Sequence, residues 1–598
     1  MAEQDPITLM RNESKGLAQG TNVHGYLFSL SDMLSGKSME DSEKIHEHLK
    51  QLKNNFIGNR TEMRKKLGLL EGENVLFYGD AIFRNENDMN NFGLILLTEY
   101  RFIFEFLEKN SEKSKFKEDY FKIPYLLFNS LKKDEQKSAY LPFTISVRDG
   151  RKLKFYLSEH QKQDILDQLN LRAFPKKFDI FEFPKLFNEN INTNPKYKQL
   201  NGWNIYDFNK EFLRQGVIFD DPNSSFRICQ INKDFKNIPT YPQLLVEPKK
   251  LSDEVILKAS KYRTKGRVPT LSYYFDNKIN GIDSNTISGI WRSSQFKAGI
   301  LGSKSDEDIQ LIKEIKSYGK NLYIYDARPF INAASNKIKG GGFEDVEQYG
   351  DDAKLIFCNI ENIHKAREAI EKTEELCTSE KVMTNKKFWS EFEATGWLDF
   401  IMITIKITNE IANLVSEGNN VLIHCSDGWD RTPQLVTVSQ ILLDPYYRTF
   451  MGFAVLIEKD WLGFGHKFAQ RSGMSEKKNE KENERSPIFL QFIDCIYQLM
   501  VQFPSEFEFN ADYLLFIAKN YNVNLFGTFM FDNEESRVKN KAKETTPSIW
   551  TYLLNNKEKY VNPLYNSKNC KKRIIPNYAY YSYKLWTSYF MRNSEYAE

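Results

Sequence analysis

The chain has 598 residues, 41% hydrophobic and 27% charged, and 83 basic against 80 acidic side chains leave a net charge of +3. That length exceeds one ordinary core and predicts two or three domains. The balance is globular and not polybasic, so an anionic partner has to be met by a local patch and no nucleic-acid partner is indicated. No run of about 18 apolar residues predicts a membrane span, and the N-terminal "MAEQDPITLMRNESKG" lacks the pattern of a signal peptide.

In chain order, residues 1–65 are polar with few sustained apolar patterns and read as a mostly disordered N-terminal extension. From there "NVLFYGDAIF", "FGLILLTEYRFIFEF" and "PFTISVRDGRKLKFYL" are short aromatic and β-branched runs divided by polar turns, which predicts strands. They end in "SEHQKQDILDQLNLRAF", where Ile165, Leu166 and Leu169 fall at helical spacing. Residues 66–175 are therefore expected to form a small β-sandwich or partly open barrel closed by a C-terminal helix. Residues 176–200 read as a linker. Over 201–592, apolar helices alternate with short strands such as "KNLYIYDA", "AKLIFCNI" and "NNVLIHC", which predicts a three-layer α/β domain with a central sheet flanked by helices. Within it, residues 475–486 carry both charge signs without an apolar face and read as a mobile loop.

The chemistry concentrates in "NNVLIHCSDGWDRTPQLVTVSQILL". The apolar "NNVLIHC" suits a buried parallel strand. "RTPQLVTVSQILL" reads as a helix, with Pro433 tolerated in its first turn. Residues 425–431 then form a strand-to-helix loop whose backbone N–H groups make an anion site, and Gly428 permits a backbone geometry other residues resist. Six scattered cysteines with no Cys-x2-Cys spacing indicate neither a zinc site nor a disulfide framework. They imply a reducing compartment in which Cys425 can stay a thiol. N–H donors and an adjacent guanidinium favour its thiolate, which can attack phosphorus, while Arg431 grips two phosphate oxygens with its planar fork. Asp427 and Asp430 suit an anion site only if they act on water, a leaving hydroxyl or a sugar ring.

"VLIHCSDGWDRTPQL" resembles the signature of the myotubularins, phosphoinositide 3-phosphatases of the cysteine-dependent phosphatase superfamily. "KGRVPTLSYYF", "YDARPFINAASNKIKGGGFE", "NIENIHKAREA", "LDPYYRTFMGFAVLIEKDWLGFGHKFAQR" and "NLFGTFMF" resemble further blocks of that family in the same order, and residues 66–175 are similar to its PH-GRAM domain. The resemblance implies phosphatidylinositol 3-phosphate and phosphatidylinositol 3,5-bisphosphate as substrates, cut at the 3-position without metal or other cofactor. It implies Cys425 as nucleophile and Arg431 as phosphate clamp, with Ser426, Asp427, Gly428, Trp429, Asn336, Asn362, Ile363 and Lys467 contacting the headgroup. Asp430 is the favoured proton donor. Asp326 is the runner-up, with a structural pairing to Arg328 as its alternative reading, and His424 is read as a hydrogen-bonding partner that shapes the loop. Family members commonly carry Ala where Pro433 stands here. The expected setting is cytoplasmic and peripheral to membranes, endosomal ones by resemblance, with homo- or heterodimerisation left open. A protein tyrosine phosphatase and a non-catalytic membrane adaptor are the competing readings. The two loop aspartates count against the first, the intact Cys425 and Arg431 against the second.

Overall fold

The computed structural model describes residue 54 and residues 60–84, 90–106, 119–133, 140–175, 181–276, 286–297, 304–338, 340–379, 383–474 and 484–592. The chain divides into two compact units, Met1–Lys177 and Phe178–Glu598.

The first unit is one antiparallel sheet of β1 (Val75–Arg84), β2 (Asn90–Thr98), β3 (Arg101–Phe106), β4 (Lys122–Pro124), β5 (Phe128–Lys133), β6 (Tyr140–Val147) and β7 (Lys152–Ser158), ordered β4-β3-β2-β1-β7-β6-β5. Its aromatic runs are explained by one dense core in which Phe83, Phe102, Phe104, Phe143 and Phe155 are buried together. Helix α1 (Arg60–Leu67) places Leu67 against Leu94, Leu96 and Ile103, so ordered structure begins before residue 66. The rest of the extension expected to be disordered lies almost entirely outside the described residues. Helix α2 (Glu159–Ala173) adds Ile165, Leu166 and Leu169 to the phenylalanine core, as their spacing predicts.

In the second unit, the linker expected over 176–200 is packed structure from its middle onward. Helix α3 (Glu182–Thr193) buries Phe183, Phe187 and Ile191. Phe187 meets Phe526 at 6.0 Å and Tyr197 stacks on Tyr552 at 5.7 Å. Aromatic side chains at helical spacing (183, 187) had a partner too far along the chain to be anticipated.

Strands β8 (Phe226–Cys229) and β9 (Leu245–Pro248) pair as a small separate ribbon. The main sheet holds β10 (Thr270–Phe275), β11 (Ser288–Arg292), β12 (Leu322–Asp326), β13 (Ala353–Phe357) and β14 (Asn420–His424), in the order β10-β11-β14-β12-β13. All neighbours are parallel except β10 and β11. Central β14 is buried at every residue, as a continuous apolar run in a two-sided parallel sheet requires. On one face Leu422 belongs to the same buried core as Leu311, Ile312 and Ile315 of α4 (Asp306–Ser317). By the alternation of a strand, Val421 and Ile423 point to the other face.

Four strands thus end side by side, and the elements that follow carry the site. After β12 comes α5 (Phe330–Ile338), after β13 comes α6 (Ile363–Thr378), and after α7 (Trp397–Ser416) and β14 comes α8 (Arg431–Leu443). Residues 432–443 of α8 are all buried, and α7, α8 and α11 pack together, once α9 (Phe450–Ile457), α10 (Phe468–Arg471) and α11 (Ile488–Gln502) are added in chain order. Among the described residues no helix is long and apolar enough to cross a membrane. Residues 475–483 of the expected mobile loop lie outside the described residues.

Candidate active site

Cys425 directly follows β14, and α8 starts at Arg431, so Pro433 stands in the first helical turn. The turn between them depends on Gly428. Its φ is +77°, and a Cβ there would lie 2.4 Å from the Ser293 carbonyl oxygen, so both conformation and space demand glycine. Two buried arginines hold the turn from behind. Arg267 and Arg292 donate to the Gly428 carbonyl at 2.9 and 3.1 Å, and burial with a second guanidinium nearby brings Arg267 down to about 10. Arg292 is itself fixed by Asp460 at 3.0 Å.

The thiol is 3% exposed at the base of this loop. Burial opposes its ionisation, but the Arg431 guanidinium, the Thr432 hydroxyl and the Gly428 N–H, 3.3 Å from Sγ, outweigh it and hold the thiol below its ordinary range. Arg431 donates one hydrogen bond to the Ile360 carbonyl at 3.1 Å, and its Nε has no partner among the described residues. It is a guanidinium with donors to spare for an oxyanion.

At the loop opens a cavity of about 390 Å³ lined by Asn362, Ile363, Ser426, Asp427, Trp429, Asp430, Arg431 and Lys467, all expected at the site, whereas Cys425 and Gly428 are not among its lining residues. Asn362 caps α6, accepting from the N–H groups of His364 and Lys365 at 3.0 and 3.2 Å. Lys467 Nζ sits 4.6 Å from the centre of the Trp429 ring, which steers the ammonium without neutralising it. Asn336 is not a lining residue; it donates to Ser426 Oγ at 3.2 Å. Lys265, Gln470, Arg471 and Glu484 line the cavity unanticipated. Lys265 carried a signal visible only in three dimensions, a left-handed φ of +58° at a non-glycine residue, of the kind that gathers at functional sites.

The two loop aspartates differ. Asp430 is buried and paired through both oxygens with Arg471, at 3.0 and 2.7 Å. His466 Nδ1 lies 3.3 Å away and donates to the Trp429 carbonyl at 2.6 Å. Against its burial, Arg471 and His466 hold the Asp430 carboxyl far below the usual range. The expected proton donor is thus held as an anion by these two partners. Asp427 moves the other way, its carboxyl pushed up by burial and by the charge of Asp430, against the pull of Arg267, Lys265 and Lys467.

Asp326 does not reach the cavity. It is fully buried and chelates Arg328 at 2.6 to 3.1 Å, the structural pairing that stood as its alternative. Arg328 in turn binds Gln295 and the Gly342 carbonyl, and Gly341 and Gly342 are buried there while Gly340 is exposed. His424 shapes the loop as expected, facing its own chain's Cys425 carbonyl at 3.2 Å and Glu344 at 2.8 Å. Despite complete burial, Glu344 and Asp326 raise its proton affinity. Glu344 also binds Arg263, which chelates Asp308.

A myotubularin-like phosphatase domain model matches residues 185–538. The chain is 37% identical over 455 residues to a protein named myotubularin from Xenopus laevis, covering 75% of this chain and 71% of that one. It is 36% identical over 467 residues to phosphatidylinositol-3,5-bisphosphate 3-phosphatase MTMR2 from Gallus gallus, covering 75% of each.

Proposed function

This chain belongs to the myotubularin-like phosphatases, and we propose from that premise that it removes the 3-phosphate from phosphatidylinositol 3-phosphate and phosphatidylinositol 3,5-bisphosphate. The observation that carries the reading is a buried thiol held low by Arg431, where Arg431 also lines a cavity with Lys265, Lys467 and Arg471. One phosphate needs one guanidinium clamp and the loop N–H groups; further cations suit a headgroup with more than one phosphate.

The Cys425 thiolate attacks phosphorus in line with the bond to the inositol 3-oxygen. The S–P bond forms as the P–O bond breaks, while Arg431 and the loop N–H groups carry the charge of the equatorial oxygens. The departing alkoxide takes a proton from Asp430. That role requires the incoming phosphate dianion to compete for Arg471 and raise the carboxyl it now depresses. The charge of Asp430 acts against the thiolate. Water then cleaves the cysteinyl phosphate, with Asp430 taking back the proton. Asp427 accepts from ring hydroxyls, and Asn362, Ile363, Ser426, Trp429 and Lys467 hold the ring and its substituents.

The first unit is read as a PH-GRAM-like domain, on the support of its antiparallel sheet with C-terminal helix and its place ahead of the phosphatase domain. The setting is the cytoplasmic face of membranes that carry these lipids, endosomal ones by family resemblance. A tyrosine-phosphatase reading finds no use for Asp427 or the extra cations. The test is phosphate release from a panel of 3-phosphorylated lipids and a phosphotyrosine peptide. Release from the lipids, absent in Cys425→Ser and far exceeding release from the peptide, is expected. A folded preparation inactive on every 3-phosphorylated lipid rejects the proposal.

A further inference from the structure

The ligand of the catalytic cavity is an anion, yet one of its walls is a carboxylate to which the chemistry above gives no role. Glu484 lines the cavity beside Arg431, Lys467 and Arg471. Its Oε2 and its own backbone carbonyl both accept from Arg471 Nη1, each at 3.1 Å. The Glu484 side chain is 36% exposed and that of Arg471 only 6%.

Arg471 is saturated at that end. Its Nε and Nη2 hold the two oxygens of Asp430. Three further oxygens converge on Nη1, the two from Glu484 and the Gln470 amide oxygen at 3.3 Å. Arg431 has donors to spare for a phosphate, but a phosphate reaches Arg471 only by taking the place of an acceptor. Asp430 is buried, and stripping it of its partner would leave an uncompensated charge. The Glu484 carboxylate can turn into water, where an ion pair of its exposure is weak. The chain behind it is anchored without it. The Ser486 N–H donates to the Arg471 carbonyl at 2.9 Å, Ser486 Oγ donates to the Ile363 carbonyl at 2.8 Å, and Arg485 pairs with Glu371 of α6 at 2.8 Å. The carboxylate can therefore leave Nη1 while the backbone stays in place.

Deepening the lipid-phosphatase reading and resting on it, we propose that Glu484 is a specificity-determining counter-anion, whose carboxylate occupies Arg471 Nη1 until a headgroup phosphate other than the one under attack displaces it. A ligand with a second phosphate replaces the carboxylate at Nη1. A ligand without one leaves Glu484 in place and meets its repulsion. Phosphate arriving at Nη1 also draws the guanidinium from the end opposite Asp430, which is the competition that proton donation by Asp430 requires.

The full chain and Glu484→Gln are compared on dibutanoyl phosphatidylinositol 3,5-bisphosphate and on 4-nitrophenyl phosphate. Glutamine keeps the length of the side chain and removes its charge. KM for the lipid is expected to fall about threefold to fivefold, the range of a partly exposed ion pair, with kcat carrying little of the change. 4-Nitrophenyl phosphate, which brings no second phosphate, gains less. A raised lipid KM overturns the proposal and makes Glu484 a support that positions Arg471. An unchanged lipid KM overturns it too, and so does an equal fall on both substrates, the mark of repulsion without displacement. Calorimetric titration of the Cys425→Ser form with the same lipid, with and without Glu484→Gln, needs no turnover. Tighter binding in the doubly substituted form is expected, and equal or weaker binding overturns the proposal. Wild-type inactivity toward a lipid that still binds in the calorimeter would instead count against the phosphatase reading.

Discussion

Asp430 carries a charge that works against the thiolate beside it. A buried carboxylate in that position would be costly unless paired, and Arg471 with His466 supplies the pairing. The same contacts strip it of the proton an acid needs. The two roles separate by leaving group. Asp430→Asn is expected to slow release of the inositol oxygen by about 10²- to 10⁴-fold. 4-Nitrophenyl phosphate, whose leaving group departs without a proton, should lose far less. Steady-state kcat/KM on both substrates reads the difference. Equal losses would make Asp430 an anchor for Arg471 and leave the proton to Asp427, the carboxyl that burial and Asp430 push up.

At the level of the element, the strand–loop–helix unit could be read from the sequence because each part is locally specified. A short run with Val421, Leu422 and Ile423 at its centre makes a buried strand, glycine allows the turn, and proline is tolerated where the helix starts. What surrounds the loop could not be read that way. Arg267 and Arg292 reach the Gly428 carbonyl from 161 and 136 residues away in the chain, and no local pattern separates a buried arginine from a surface one. Lys265 and Arg471 stood at the ends of stretches recognised by resemblance, yet only the fold shows them facing the cavity. The loop's tolerance follows from this crowding. Gly428→Ala adds a methyl group 2.4 Å from the Ser293 carbonyl oxygen at φ +77°. A strained site of this kind costs about 1–3 kcal/mol, and any shift that relieves it moves the N–H that faces Sγ. Turnover is expected to fall by more than about 10²-fold, as for loss of a preorganised donor. Thermal unfolding should show the variant folded but less stable; wild-type turnover would mean that the loop shifts without harm to the thiolate.

Over the whole molecule, the linker expected from polar composition is packed chain in the structure. Polar residues at 176–200 resemble a linker, whereas Phe183, Phe187 and Ile191 bind that segment into the larger unit, and the family match likewise begins at residue 185. The larger unit also stores a pH dependence invisible in sequence, because it depends on depth of burial. Glu458 accepts from Trp550 Nε1 at 2.6 Å, and burial raises its carboxyl to about 7 against the pull of Arg537. Burial likewise raises Asp494 to about 6, although Trp397 and Gln498 bond to it. A carboxyl that binds its proton more tightly when folded contributes stability that is complete below its unfolded pKa and is lost as pH rises through the folded one. The window for Glu458 therefore runs from about 4.5 to about 7, and the loss across it is on the order of a few kcal/mol. Glu458→Gln keeps an oxygen for Trp550 and removes the titration. It should raise the melting temperature at pH 8 and change it little at pH 5, with calorimetry at the two pH values as the measurement. An equal shift at both would show that Glu458 keeps its charge when folded, with Arg537 neutralising it.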